Sequence, residues 1–389
     1  MKQFPLWRPV TAALAAAAIL AGCGGGGGDA PSPPPSSTFG ASSSFEGMCS
    51  LADQKKFVRS YLDETYLWYG EIPSVNAAAF NNIPDYFEAL LVTTPDVNGL
   101  PKDRFSAILP SSQASLPQGL LKNHTDAVPV VKVVTSPAGR RTGYIQFNDH
   151  EEGSQDDLIT AFRQMQDARV EDLVLDLRYN SGGFLYVAIA AASMVTGPAS
   201  EGLVFEQLRY NDKRSAETAS SFLTFSNRVQ FAETQYPRDT LLPQLNLPRL
   251  YVLSSNQTCS SSESLVNSLR GINVEVILVG GTTCGKPYGF HRKENCGFAY
   301  FPIEFQGFNA KGFGDYTAGF KPTCAVNDNP ATAAGSAADP LLTTALLHID
   351  TGRCPAGTAS QLLQSAAPQA ASAGTMRPSW AGRLLRPER

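Results

Sequence analysis

Apolar residues near the start of the folded part of the chain recur with the spacing of an α-helix. The first such pattern begins after Ser50 and places four apolar side chains on one face: Phe57, Val58, Tyr61 and Leu62. A second helical pattern runs over residues 84–91, where Pro84 suits the first turn of a helix. Together these patterns predict a small helical N-terminal region.

Short apolar segments that are typical of β-strands follow, at residues 131–134, 143–147, 173–177, 250–253 and 274–279. The first two flank a turn at residues 136–139 and predict a hairpin. The aromatic segment 298–305 contains Pro302, which favours an edge strand because proline cannot donate a backbone hydrogen bond.

Helical segments lie between several of these strands. Ser154 is suited to cap one helix, residues 184–195 form an almost wholly apolar one, and another starts at Ser260 or Ser261. Because strands alternate with helices, the sequence predicts an α/β fold with parallel strand pairing.

The N-terminus has the form of an export signal. Lys2 and Arg8 precede an apolar run over residues 10–21 that is too short to span a bilayer comfortably. Leu20-Ala21-Gly22-Cys23 resembles a bacterial lipobox, which makes Cys23 the predicted lipidated first residue of the mature protein; a non-lipidated secretory signal is the alternative. Gly24, rather than Asp, after that cysteine favours sorting to the outer membrane of a diderm bacterium.

Composition divides the chain into five predicted segments: a signal peptide at 1–22, a lipidated flexible linker at 23–44, the helical N-terminal region at 45–112, an α/β domain at 113–354 and a disordered tail at 355–389. The linker and the tail have little to bury. The formal net charge of −4 gives no reason to expect a nucleic-acid partner.

Besides Cys23 the chain has six cysteines: Cys49, Cys259, Cys284, Cys296, Cys324 and Cys354. An even number behind an export signal indicates disulfides, although six cysteines allow fifteen full pairings. Position weakly favours a bridge between Cys296 and Cys324. Cys259 is either bridged or a buried small apolar residue.

Two segments together offer a nucleophile and a base. Thr258-Cys259-Ser260-Ser261-Ser262-Glu263 opens a helix, and Gly285-Lys286 follows the next strand. A serine hydroxyl attacks efficiently only when a neighbouring base takes its proton, and a buried lysine can be that base. Taken alone, the serine segment is typical of a capping box, in which Ser260 and Glu263 bond each other's backbone.

The segment Asp176-Leu177-Arg178-Tyr179-Asn180-Ser181-Gly182-Gly183 leads from a strand into a helix. Backbone N–H groups at Ser261 and at Gly182 or Gly183 could bind an oxyanion, since glycine permits close approach; a tight turn that needs glycine is the alternative. Asp176 and Arg178 are expected to be structural partners. Residues 280–286 match a phosphate-binding loop, but Pro287 stands where that motif needs Ser or Thr.

With these segments in place, the chain resembles the C-terminal processing peptidases, also called tail-specific proteases, whose core is shared with the tricorn protease. The resemblance covers about residues 131–353 and implies a crotonase-like core of repeated β-β-α units, so that 113–354 becomes a peptidase catalytic domain. It makes Ser260 the nucleophile and Lys286 the general base, with oxyanion donors at Ser261 and at Gly182 or Gly183. It also implies a protein or peptide substrate and no metal or other cofactor.

The chain departs from this family in two ways. Phe290 stands where many members have a glutamine that orients the lysine, and the third catalytic residue is unassigned, with His291 and Gln306 as candidates. The stretch between Ser106 and Val131 is too short for the PDZ domain that members usually carry. The lipobox and the helical N-terminal region are similar to a lipoprotein branch of the family.

The sequence therefore predicts a serine endopeptidase of the cell envelope, anchored by a lipid on Cys23 and facing the periplasm. Two alternatives remain. One is a non-catalytic lipoprotein with the same core that binds peptides or envelope partners. The other uses Cys259 or Cys284 as the nucleophile, with His291 as its base.

Overall fold

The computed structural model describes residues 38–114 and 126–355. The predicted signal peptide, the lipobox with Cys23 and nearly all of the predicted tail lie outside these residues. Within the described part of the chain, no helix is both long and apolar enough to cross a membrane.

The predicted helices and strands appear in the predicted order, and further elements that the sequence did not predict lie between and after them. The α-helices are α1 (Leu51–Thr65), α2 (Ile83–Ala89), α3 (Ser111–Ala114), α4 (Ser154–Asp167), α5 (Leu185–Val195), α6 (Ser215–Ser220), α7 (Ser261–Gly271) and α8 (Pro340–Thr351). The strands are β1 (Ala107–Pro110), β2 (Val130–Thr135), β3 (Arg141–Gln146), β4 (Asp172–Asp176), β5 (Val204–Tyr210), β6 (Phe222–Thr224), β7 (Arg249–Ser254), β8 (Glu275–Gly280), β9 (Tyr288–Gly289), β10 (Lys293–Asn295), β11 (Phe298–Phe301), β12 (Phe305–Phe308) and β13 (Cys324–Ala325).

A six-stranded sheet forms the centre of the fold, with the strand order β13-β8-β7-β4-β3-β2. Strands β3, β4, β7, β8 and β13 are parallel, and β2 joins β3 as the predicted hairpin. Helices connect β3 to β4 and β7 to β8, so the predicted α/β fold with parallel pairing is confirmed. Parallel strands end at one edge, where open α/β sheets hold their ligands.

Hydrophobic layers cover both faces of this sheet. On one face, α4, α5 and α7 pack against side chains such as Leu173, Leu175 and Val252. On the other, Leu341 and Leu342 of α8 pack against Val174 and its neighbours. Every residue of α5 is buried, which explains why this helix is apolar on all sides.

The N-terminal helices pack onto the later strands. Phe57 of α1 and Phe87 of α2 lie in one hydrophobic cluster with Phe290 and with Tyr300 of β11. Strand β1 pairs with β11, and the Tyr61 hydroxyl donates to the buried Glu304 carboxylate at 3.1 Å. The helical region therefore shares its core with segments near the predicted catalytic lysine.

Two local predictions are wrong. The segment 298–305 is not one edge strand: β11 lies between β1 and β10 in one sheet, and β12 lies in another, because Pro302 interrupts the pairing. Ser154 does not cap α4, since Gly153 occupies the cap position with φ = 99° and the Ser154 hydroxyl accepts from the Glu151 N–H at 3.1 Å.

The predicted bridge between Cys296 and Cys324 is also wrong. The disulfides are Cys49–Cys296, Cys259–Cys284 and Cys324–Cys354. The first ties the residues before α1 to the segment between β10 and β11. Spacing in sequence could not reveal this, because partners 247 positions apart are brought together only by the fold.

Arg178 and Asp176 are structural partners, as predicted. The Arg178 guanidinium lies 2.9 Å from Asp176, 2.6 Å from Asp328 and 2.5 Å from Asp339, and it is almost fully buried. Burial raises the pKa of Asp176 although Arg178 and Tyr144 both bond its carboxylate. The cluster anchors the end of β4 to the start of α8.

We expect substitution of Asp339 to separate its two roles. Asp339→Ala removes a partner of the buried Arg178 and also the carboxylate that caps α8 at the Leu341 N–H, 3.0 Å away. The free energy of unfolding should fall by about 3–5 kcal/mol, as for other broken buried pairs. Asp339→Asn keeps a capping oxygen and should lose less, because caps are worth about 1 kcal/mol. Urea unfolding measures both; losses below about 1 kcal/mol in both variants would contradict this role.

Candidate active site

Ser260 lies between β7 and α7, at the carboxyl edge of the central sheet. Its side chain is fully buried, and its backbone has φ = 57° and ψ = −114°. Residues other than glycine rarely adopt positive φ, and they keep it only where the surrounding structure holds them there. This unusual backbone, which the sequence did not reveal, presents the serine directly before the first turn of α7.

Lys286 follows β8, as predicted, at the same edge of the sheet. Only 1% of the residue is exposed. The Nζ atom lies 5.2 Å from the ring centre of Phe105 and 5.0 Å from that of Phe290. The amine is therefore covered by apolar rings, one of them supplied by the N-terminal region.

The Glu263 carboxylate links these two segments. One oxygen accepts from the backbone N–H of Ser260 at 3.0 Å and from that of Lys286 at 2.8 Å. The other accepts from the Gly285 N–H at 2.8 Å and the Thr283 hydroxyl at 2.5 Å. Burial raises the pKa of Glu263, although each of these hydrogen bonds favours the ionised form.

A disulfide makes a second link between the same segments. Cys259, directly before Ser260, is bonded to Cys284, two residues before Lys286. Because both thiols are consumed in this bond, the alternative in which either cysteine attacks with His291 as its base is wrong for this structure. The Cys284 N–H also donates to the Thr258 carbonyl at 3.0 Å.

The turn with Gly182 and Gly183 packs against the start of α7. A Cβ atom at Gly182 would lie 2.8 Å from the Ser261 nitrogen and 2.9 Å from the Ser260 Cβ. Both glycines have positive φ, at 92° and 149°. The Ser261 hydroxyl donates to the Gly183 carbonyl at 2.6 Å, so the turn and the serine segment are held directly together.

Asn180 organises this turn. Its side-chain oxygen accepts from the Gly182 N–H at 3.0 Å, and its amide group donates to the Phe147 carbonyl at 3.0 Å. The Nδ1 atom of the buried His150 lies 2.9 Å from the same oxygen, so Nδ1 carries the proton that is donated. The Gly182 N–H is thus engaged, whereas the described residues offer no hydrogen-bond acceptor to the Gly183 N–H.

Comparison with known proteins places the chain in a family. The model of peptidase family S41 matches residues 141–293, and the model of the S41 N-terminal domain matches residues 53–107. The two together cover more than half of the chain. The chain belongs to peptidase family S41.

Individual relatives share limited sequence identity with the chain. A carboxyl-terminal-processing protease from a Picosynechococcus species is 29% identical to this S41 protein over 158 residues, which make up 41% of the chain and 32% of the relative. The chain thus matches about a third of the length of this curated relative. A crystal structure assigned to the S41 proteases, from Bacteroides fragilis NCTC 9343, is 21% identical, covers 76% of the chain and 97% of its own, and has a TM-score of 0.59. That likeness agrees with the predicted crotonase-like α/β fold.

The two candidates for a third catalytic residue have structural partners elsewhere in this S41 protein. His291 bonds the buried Glu304 carboxylate at 2.8 Å, and Arg214 bonds the same group at 2.7 Å. Although burial alone would raise the pKa of Glu304, these two partners hold it below its usual value. Gln306 donates to the Gly314 carbonyl at 2.9 Å. Neither contact involves Ser260 or Lys286.

Sequence reasoning missed two residues beside the lysine segment. Phe105 covers the Lys286 amine, and Arg104 donates to the carbonyls of Thr317 at 2.9 Å and Gly285 at 3.4 Å. Both lie near the end of the predicted helical N-terminal region, 45–112, where the sequence shows no motif. Because the contact with Lys286 is formed only in the folded protein, no local sequence pattern predicts it.

We expect Glu263→Gln to loosen both linked segments. An amide nitrogen cannot accept, so in either orientation of the new amide the N–H of Gly285 or that of Lys286 loses its acceptor, at a cost of about 1–3 kcal/mol in the free energy of unfolding. Hydrogen exchange followed by mass spectrometry should show faster exchange over residues 281–287.

Asp172→Asn is the matched control, because this equally buried carboxylate binds Arg140 and Arg249 at the opposite end of β4. It should lower stability without speeding exchange over residues 281–287. Unchanged exchange in Glu263→Gln would show that the carboxylate does not hold this segment.

Proposed function

We propose that this protein is a serine endopeptidase in which Ser260 attacks the peptide carbonyl and Lys286 acts as general base. One observation carries the proposal: a single buried carboxylate, Glu263, binds the backbone N–H groups of both residues. The two segments are thereby held side by side at the carboxyl edge of the sheet. Membership of a peptidase family supports the same assignment.

The setting of Lys286 suits a base. A lysine charged in water is less readily charged when it is buried, because a low-dielectric surrounding disfavours the ammonium form. Lys286 is buried beneath Phe105 and Phe290. Phe290, which replaces the glutamine common in the family, would restrict the amine by packing in place of a hydrogen bond.

We propose the Ser261 and Gly183 N–H groups as the oxyanion donors. The Ser261 N–H opens α7, where the first amides of a helix lack intrahelical acceptors and carry partial positive charge. Of the two glycines offered by the sequence, Gly183 is the better candidate, because the Gly182 N–H already donates to Asn180.

The reaction then follows two balanced steps. Lys286 takes the Ser260 hydroxyl proton as the oxygen bonds the carbonyl carbon, and the same proton passes to the leaving amine when the peptide bond breaks. Water next gives a proton to Lys286 and attacks the acyl-enzyme. The proton returns to the Ser260 oxygen as the carboxylic acid product leaves. Lys286 accepts or donates the proton in each of these transfers.

Proteins or peptides are the proposed substrates, with no role for nucleic acid. Because the stretch between β1 and β2 is too short for a PDZ domain, we propose that recognition does not depend on a PDZ groove or on C-terminal tails. The proposed location is the cell envelope, with the catalytic domain facing the periplasm and a lipid on Cys23 holding the protein to the outer membrane.

We expect Ser260→Ala and Lys286→Met to abolish turnover of an unfolded protein. A fluorophosphonate should label the parent but not Ser260→Ala, and labelling of Lys286→Met should slow by at least about 100-fold, in line with the loss of a general base. Lys311→Met, which changes an exposed lysine bonded to the Arg270 carbonyl, is the control and should behave like the parent.

Two results would contradict this assignment. Equal cleavage by all variants would remove Ser260 and Lys286 from the reaction. A folded parent that binds peptides but neither cuts them nor reacts with the fluorophosphonate would instead indicate the non-catalytic lipoprotein.

We expect Cys23→Ser to release the protein from the membrane. In a diderm bacterium fed labelled palmitate, the parent should take up label and fractionate with outer membranes, because a lipid chain on Cys23 buries methylene groups in the bilayer. The variant should take up no label. Label in both proteins, or in neither, would refute lipidation at Cys23.

A further inference from the structure

The disulfide Cys259–Cys284 brackets the two proposed catalytic residues. Along the chain, Cys259 immediately precedes Ser260, and Cys284 lies two residues before Lys286. The bond brings the two cysteine Cα atoms to 5.1 Å and so joins the segment after β7 to the segment after β8.

The two cysteines are more exposed to solvent than the proposed catalytic residues. Ser260 and Lys286 are buried, whereas Cys259 and Cys284 are each partly exposed. This partial exposure favours the approach of a small reductant to the bond without unfolding of the core. Partial exposure also distinguishes this disulfide from Cys324–Cys354, in which Cys324 is buried.

We propose that Cys259 and Cys284 are positioning residues. Their disulfide holds Ser260 and Lys286 in the relative positions that the reaction needs, so peptidase activity requires the oxidised form. This inference rests on the proposed Ser-Lys mechanism. It adds to that mechanism a dependence on the redox state of one particular disulfide.

The backbone on both sides explains why a covalent link is needed. Ser260 holds a positive φ that the surrounding structure must enforce, and Gly285 also has positive φ, at 82°. The segment after β8 contains Gly281 and Gly285, which favour many conformations when unrestrained. Misplacement of reacting groups by about 1 Å can cost about 100-fold in rate.

The redox step is simple to write. Dithiothreitol gives two electrons and two protons to the bond, which becomes two thiols at Cys259 and Cys284, while the dithiol closes to its own disulfide. The hydrogen bonds from the Ser260 and Lys286 N–H groups to Glu263 involve no sulfur and are expected to survive reduction. Reduction is therefore expected to lower kcat while the protein remains folded.

The test compares Cys259→Ser/Cys284→Ser with Cys324→Ser/Cys354→Ser. The two bonds close loops of similar length, with sequence separations of 25 and 30, so their removal should affect the unfolded chain similarly. In the first variant, kcat and the rate of fluorophosphonate labelling per folded molecule should fall at least about tenfold, which corresponds to about 1.4 kcal/mol, with KM unchanged. The second variant should keep the parent's kcat.

Reduction of the parent is the second arm. Dithiothreitol should lower the activity of the parent and of Cys324→Ser/Cys354→Ser, and reoxidation should restore it, while Cys259→Ser/Cys284→Ser should not respond. Mass spectrometry of alkylated thiols should show that activity falls as Cys259 and Cys284 become free. Dithiothreitol also reaches Cys49–Cys296, in which Cys49 is exposed, so Cys49→Ser/Cys296→Ser joins this arm and should lose activity on reduction as the parent does. With that variant the arm decides the matter even if Cys259→Ser/Cys284→Ser does not fold.

Contrary outcomes are distinct from failure of the proposed function. A parent that cuts peptides through Ser260, but whose kcat survives both reduction of Cys259–Cys284 and its removal, overturns the positioning role alone. A lowered melting temperature with unchanged kcat in the variant has the same meaning. Failure of the Ser-Lys mechanism itself would be seen in a different experiment, in which Ser260→Ala and Lys286→Met still cleave the substrate as the parent does.

Discussion

The buried Glu263 carboxylate is the interaction on which the candidate site depends. A buried carboxylate needs hydrogen-bond donors around it. Here the donors come from the two segments that carry the proposed chemistry: Ser260 in one, and Thr283, Gly285 and Lys286 in the other. Satisfying the carboxylate therefore also aligns a serine with a lysine. The residue that the sequence marks as half of a capping box performs a longer-range task.

The N-terminal region takes part in the site and is not merely attached to it. Phe105 covers the Lys286 amine, while Arg104 holds the Gly285 carbonyl through its guanidinium. Helices α1 and α2 support this segment by sharing a hydrophobic cluster with Phe290 and β11. Removing water from around a lysine is what makes it a base, so these contacts link a packing layer to the proposed chemistry.

Local patterns predicted much of the fold because they report burial directly. The face formed by Phe57 and Tyr61 has the period of a helix, whereas the almost wholly apolar α5 and the buried strands of the central sheet are told apart by length, since the apolar run of a helix is longer. Pro302 led to the prediction of one edge strand, whereas its actual effect is to divide the segment into strands of two sheets. Short strands such as β1, which pair only with distant partners, left no pattern to find.

The candidate site was predictable in its residue types but not in its connections. The order of the glycine turn, the serine segment and the lysine segment along the chain carried the family resemblance. The links made by Cys259–Cys284, Asn180 and Phe105 depend on separations that the fold alone closes. The positive φ of Ser260 is likewise imposed by tertiary contacts, since serine itself does not favour it.

A crystal structure of the protein after reaction with a peptidyl phosphonate would test the central claim most directly. The account predicts phosphorus bonded to the Ser260 oxygen, a phosphonyl oxygen about 3 Å from the Ser261 and Gly183 nitrogens, and the Lys286 Nζ atom within hydrogen-bond distance of the Ser260 oxygen. An adduct on another residue, or one on Ser260 with the amine turned away and the phosphonyl oxygen in solvent, would contradict it.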